Sequence, residues 1–301
     1  MRPNVTVRVP GSTSNLGSGF DCVGLAVPRW LTLSIEPATA GTIERRGTLA
    51  GLKTSYEEDL LVRGGTAAAR AVGKTVPLLA LTVDSEIPVA RGLGSSAAAV
   101  VAGAVAVSTL LDLSLSDDAI AELASEIEGH PDNVAPMVFG GATLALPHTG
   151  AALEIARLRI HDSLALVFAV PDFLVETKRA RAALPATVPH PVAAEAAARG
   201  VALVHGLANG EPRALAAGLE DVLHVPFRRS LVRGYDEVTG AARTAGAFGA
   251  TLSGSGPTLV AVAPAVRAQA VGDAMRRAWD KLGVQTETFH VTRPAGRYEI
   301  L

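Results

Sequence analysis

At 301 residues, with a formal net charge of −2 and a pI near 6.4, the chain exceeds a typical single domain and carries no basic footprint for nucleic acid or an anionic membrane. Hydrophobic residues make up 49% of it but aromatics only 4%, so Ala, Val and Leu must fill the core, as in a two-layer enzyme acting on a small molecule. Cys22 is the only cysteine, which excludes an internal disulfide and a cysteine-ligated metal and suits a reducing cytoplasm; the longest apolar run, 97–107, is far short of the roughly 20 residues that span a bilayer.

Val5, Val7 and Val9 alternate with polar residues, as do Leu31, Leu33 and Ile35, which predicts two strands flanking a glycine-bearing loop, "PGSTSNLGSGFD". The N-terminal stretch, "MRPNVTVRVPGSTSN", has no apolar core of signal-peptide length, so a soluble, cytoplasmic protein is expected. "GTIERRGTLAGL" reads as an exposed hairpin, followed by a helix over about 57–72 and a strand "LLALTVDSEI". Ser95 and Ser96 are placed to cap a helix reaching about Leu111. In "SLSDDAIAELASEIEG" Ser116 is a cap, Ile120, Leu123, Ala124 and Ile127 recur at helical spacing, and Gly129 ends the helix. "GGATLALP" is a strand, and the run at 147–150 predicts a change of lobe. The second half opens with a strand "LALVFAVP", a helix start in "VETKRARAALP" and two alanine-rich helices between about 192 and 223. A helix "RSLVRGYDEVTGAARTAG", a hairpin "FGATLSGSGPTLVAVAP", a helix "VRAQAVGDAMRRAWDKLG" and a strand "ETFHVT" complete it. Strands and helices mix without a strict repeat, which predicts an α+β second lobe.

The stretch 87–107, "IPVARGLGSSAAAVVAGAVAV", joins a strand to a helix through a tight glycine turn. Free N–H groups and the helix dipole make such a place an anion site. Gly92, Gly94 and Ala97 satisfy the dinucleotide pattern G-x-G-x-x-A, but the acidic residue some 20 positions on, Asp112, follows no strand. A Walker loop needs a lysine, and none occurs between Lys74 and Lys178. Small residues could also serve only to bring helix and sheet together, a reading weakened by two adjacent serines whose hydroxyls can meet phosphate oxygens or Mg²⁺.

"PVARGLGSSAA" resembles the phosphate-binding motif of the GHMP small-molecule kinases, the superfamily of galactokinase, homoserine kinase, mevalonate kinase and phosphomevalonate kinase. "VPGSTSNLGSGFDCVGLAV" and "GAFGATLSGSGPTLVAV" resemble its other two motifs, in the same order. "NLGSGFD", "EGHPDNVAPMVFGG" and "TKRARAALP" are similar to the homoserine kinase branch in particular. The resemblance implies a two-lobed α+β fold, with a ribosomal-protein-like β-α lobe over 1–155 and a ferredoxin-like lobe over 156–301. It implies ATP in the cleft between them, Mg²⁺, L-homoserine as acceptor of the γ-phosphoryl group on its side-chain hydroxyl, and, as often in this branch, a homodimer.

It also distributes roles. Pro88, Arg91, Gly92, Leu93, Gly94, Ser95, Ser96 and Ala97 would bind the nucleotide. Ser96 would share Mg²⁺ with a helix glutamate; spacing to His130 favours Glu126, with Glu122 one turn earlier in reserve, while Glu122, Glu126 and Glu128 could equally form a solvated face. Asn15 and Asp21 would grip the acceptor, Arg181 and Arg228 its α-carboxylate, with Thr177 and His130 beside them. Asp132 matches the general base of mevalonate-kinase-like relatives, but phosphoryl transfer asks little of a base, so Asp132 and Asn133 read first as site architecture. The catalytic set is thus Asp21, Asp132, Ser96 and Glu126, and the turn 253–258 would steady the phosphate loop. One departure from the branch is Asp59, where an asparagine near the adenine is frequent. The rival readings are a sister kinase for threonine, a mevalonate derivative or a sugar, and a non-catalytic sensor on the same fold.

Overall fold

The computed structural model describes residues 2–146 and 153–301, so the predicted change of lobe at 147–150 lies outside the described residues. Strand β1 (Val5–Asn15) pairs antiparallel with the long β2 (Gly19–Pro37), from Val5 opposite Ile35 to Ser14 opposite Gly24. The predicted glycine loop is therefore mostly strand. Ser12, Thr13 and Ser14 are fully buried and find hydrogen-bond partners in Asn133 and Ser253, a tertiary satisfaction that alternation along the chain does not reveal.

The expected hairpin at 41–52 is instead one edge strand, β3 (Thr42–Gly47), which pairs parallel with β4 (Leu79–Ser85). A parallel pair needs a crossover, and α1 (Leu60–Ala71) supplies it. The helix starts later than its apolar pattern predicts because Asp59 caps it, its carboxylate accepting from the Leu61 N–H. Helix α2 (Ser95–Leu111) is buried on nearly every side, as its Ala and Val content requires, and α3 (Asp117–Glu128) begins at the predicted Ser116 cap. A short α4 (Val134–Phe139), unpredicted, leads to β5 (Ala142–Leu146), whose partner β6 (Glu154–Leu158) was also not expected. β5 lies against the first half of β2, and β4 against the second.

A second sheet holds β7 (Leu164–Pro171). Helices α5 (Thr177–Ala182), α6 (His190–Asn209), α7 (Pro212–Leu219) and α8 (Val225–Arg228) follow. Gly234, in the left-handed region, delays α9 to Tyr235–Thr244 and splits the long helix predicted from Arg229. Strands β8 (Gly249–Leu252) and β9 (Leu259–Pro264), helix α10 (Ala268–Asp280) and strand β10 (Thr286–Val291) complete an antiparallel sheet of order β10-β7-β9-β8. Both faces of β7 are covered: Leu164, Leu166 and Phe168 join the large core shared with the first sheet, while Ala165, Val167 and Ala169 join a second core with Met275 and Trp279 of α10. An unbroken apolar run, "LALVFAVP", follows from that.

The chain then returns. β11 (Glu299–Ile300) adds to the outer edge of β1, so the expected 156–301 block does not stay with the second sheet to its end, and β6 straddles its expected start. Among the described residues no helix is long and apolar enough to cross a membrane.

Candidate active site

A cavity of about 340 Å³ lies between the sheets, and seven predicted side chains meet in it: Asn15, Asp21, His130, Asp132, Thr177, Arg181 and Arg228. The glycine-serine loop lines its middle. Gly92 and Gly94 have φ of 75° and 73°, and a Cβ at Gly94 would lie 2.3 Å from Ser12 Oγ, so only glycine fits. Gly94 caps α2 through its backbone alone; Ser95 and Ser96 are the first helical residues and not the caps the sequence predicts. The Ser95 hydroxyl and the first-turn N–H groups can therefore meet an anion at the positive end of the helix, while the Ser96 hydroxyl is turned to a neighbouring glutamate. The second glycine turn clamps this loop: Ser253 Oγ donates to the Gly92 carbonyl at 2.6 Å and accepts from Thr13 Oγ1 at 2.8 Å.

Three residues expected at the nucleotide do not present side chains to the cavity. Leu93 and Ala97 are buried in the core and Pro88 is not in the lining, because helix and turn residues point alternately at ligand and sheet. Arg91 lines the cavity, but its guanidinium donates to the carbonyls of Pro171 and Asp172 at the end of β7, bridging the two sheets.

The glutamate beside Ser96 is Glu128. Ser96 Oγ donates to its Oε2 at 2.8 Å. Glu126, favoured by spacing, lies in a groove with Arg63 and Arg70 on another face of α3, since residues two apart on a helix diverge by about 200°. Spacing misleads here because the helix ends at Gly129 (φ 81°), and the chain turns there. Burial raises the Glu128 carboxyl above its usual range, with the Ser96 hydrogen bond opposing. A half-buried carboxylate beside a hydroxyl is an oxygen donor pair that fits Mg²⁺, a cation that keeps most of its shell for water and phosphate.

On the first hairpin Asn15 and Asp21 both have positive φ, 70° and 56°. Asn15 Nδ2 donates to the Gly254 carbonyl at 2.9 Å, and its Oδ1 accepts from the Asp21 N–H at 2.9 Å. Arg181 binds both Asp21 oxygens, at 3.2 and 2.9 Å, the fork geometry that also suits a substrate carboxylate. Asp132 is buried and accepts from His130 Nδ1 at 2.7 Å and from Asn133 Nδ2 at 3.1 Å. Asn133 also bridges Ser12 and Ser14, a scaffold that the sequence reading missed because β1 was read as a loop there. Burial pulls His130 down, but the hydrogen bond and charge of Asp132 outweigh it and leave the imidazole above its ordinary value. Thr177 Oγ1 meets Ser255 Oγ at 3.3 Å. Arg228 is buried, its pKa lowered by burial and by Arg181.

The far end is an apolar slot of Leu49, Leu52, Val83 and Val89, closed by an ion pair of 2.6 Å between Arg45 and Asp59. Only Asp59 was visible in the sequence, since valines and leucines read as core wherever they fall.

A two-sheet body with a helix-mouth anion site in the cleft defines a small-molecule kinase. The GHMP kinases N terminal domain matches residues 60–141 and the GHMP kinases C terminal domain 203–281. Homoserine kinase of Synechococcus sp. is 41% identical over 93% of this chain and 92% of its own, and that of Gloeobacter violaceus 42% over 91% and 92%. The crystal structure of homoserine kinase from Cytophaga hutchinsonii superposes with a TM-score of 0.90 at 26% identity, covering 100% of this chain and 98% of that one. Mevalonate kinase of L. major, 17% identical with a TM-score of 0.68 over 93% and 94%, shares the fold. The chain belongs to the GHMP kinases and, within them, to the homoserine kinase family.

Proposed function

We propose that the protein phosphorylates the side-chain hydroxyl of L-homoserine with ATP, giving O-phospho-L-homoserine and ADP, as a step of threonine biosynthesis. The observation that carries this reading is one cavity holding a helix-mouth phosphate site at its middle and two guanidiniums, Arg181 and Arg228, at one end. The base of ATP lies in the apolar slot and its phosphates at 92–96, where N–H groups and the α2 dipole offset charge as the γ-phosphoryl group moves in line to the acceptor oxygen. The bond from phosphorus to the acceptor oxygen forms as that to the ADP oxygen breaks, and the hydroxyl's proton is released to water. Ser96 and Glu128 would hold Mg²⁺, which would supply charge neutralisation at the phosphate oxygens. Arg181 and Arg228 take the α-carboxylate, Asn15, Asp21 and Thr177 orient the acceptor, and Asp132, held by His130 and Asn133, fixes the hydroxyl. The same reading makes this a cytoplasmic enzyme and a homodimer, which sedimentation tests.

ADP release with Mg-ATP is measured against L-homoserine, L-threonine, L-serine, mevalonate and galactose. A clear preference for L-homoserine supports the reading. Release with a different acceptor alone overturns the acceptor assignment, and release with none favours the sensor.

A further inference from the structure

His224 is fully buried and absent from the cavity lining, so it touches no substrate. Its partners nevertheless belong to the acceptor site. Nε2 lies 3.1 Å from the carbonyl of Gly17, in the turn between Asn15 and Asp21. A carbonyl only accepts, so Nε2 carries the proton. Nδ1 lies 3.3 Å from a terminal nitrogen of Arg228, which only donates, so Nδ1 is bare. The imidazole stacks on Phe20 at 4.9 Å, and the Arg228 guanidinium lies over the same ring at 5.2 Å. Asp221 caps the turn below, its Oδ2 accepting from the N–H groups of Leu223, His224 and Val225. Arg228 Nε donates to the Ala180 carbonyl at 3.1 Å, so two edges of its fork are tied and the remaining nitrogen is left for the cavity.

We propose that His224 is a positioning residue of the acceptor site: it aims Arg228 at the acceptor and ties it to the turn that carries Asn15 and Asp21. The charged groups around it are Asp221, Arg228 and Asp21, and burial, the largest influence, holds it below the ordinary histidine value, in keeping with the tautomer that its partners dictate.

The inference rests on the proposed acceptor, so the wild type is assayed first; absence of L-homoserine turnover there would overturn the acceptor reading. Two substitutions then separate the two ring nitrogens. His224→Asn keeps an acceptor where Nδ1 lies, and His224→Gln keeps only a donor near Nε2. His224→Gln is expected to raise KM for L-homoserine about tenfold, with KM for ATP within about twofold, and His224→Asn to restore most of that loss. Equal damage by both, or damage spread over both substrates, refutes it. If neither variant folds, ¹⁵N spectra of the wild-type histidines decide: a ring that keeps its proton on Nε2 and stays neutral below the pH at which an ordinary histidine charges supports the assignment, and a histidine set in which no ring is held below the ordinary value refutes it.

Discussion

The two working ends of the cavity are built in opposite ways. The phosphate end comes from one contiguous stretch, 92–96, and uses backbone N–H groups, a helix dipole and two glycines. The acceptor end draws Asn15 and Asp21 from the first hairpin, His130 and Asp132 from the turn after α3, Arg181 from α5 and Arg228 from α8. On the proposed assignment, backbone chemistry serves a group common to every phosphoryl donor, whereas side chains from separate segments read one acceptor. The first end should therefore fail when its backbone is altered, and the second when a single side chain is.

The sharpest test of that contrast sits where the ends meet. Glu128→Ala should lower kcat by about 10²- to 10³-fold, the range for removing one preorganised charge contact, while Glu126→Ala stays within about twofold. Steady-state kinetics with Mg-ATP check this, and the reverse ranking would return the metal to Glu126. Next in size, Arg181→Lys should raise KM for L-homoserine about tenfold or more and leave KM for ATP unchanged, since lysine loses the fork but keeps the charge. A matching rise in KM for ATP would show that the ends are not separable. Gly94→Ala should destabilise the fold by about 1 to 3 kcal/mol, because a left-handed backbone and contact with Ser12 resist a Cβ. Urea unfolding measures it, and a variant as stable as the wild type would mean that the loop relaxes freely.

The smallest effect concerns pH. His130 binds its proton more tightly folded than unfolded, so the native state holds more protons between the ordinary value near 6.5 and the raised one. Stability from the pair with Asp132 is thus fully present below about pH 6.5 and lost as pH rises through the folded value. The gap in urea midpoint between wild type and His130→Asn should shrink across that window; a constant gap would deny the link.

The same contrast explains what the sequence disclosed. The phosphate loop was legible because its ingredients are adjacent and few other purposes need them together. Ser116, Gly129 and the apolar β7 were legible for the same local reason. Spacing favoured Glu126 as the neighbour of Ser96, whereas the helix end, not helical spacing, brings Glu128 there. The buried serines of β1, the slot of Leu49 and Val83 and the bridging of Arg91 depend on partners from distant segments, which no local pattern carries.

β11 has a consequence for synthesis. Its residues 299–300 cover the outer edge of a strand that begins at Val5, and Leu301 N donates to the Thr6 carbonyl at 2.9 Å. At ribosomal speeds of roughly 5–20 residues per second, β1 waits about 15 to 60 s for that cover. Through that interval the outward N–H and C=O groups of β1 around Val7 and Arg8 stay open, an invitation to pair with neighbouring nascent chains. The nascent first lobe therefore keeps an open strand edge until translation has delivered β11.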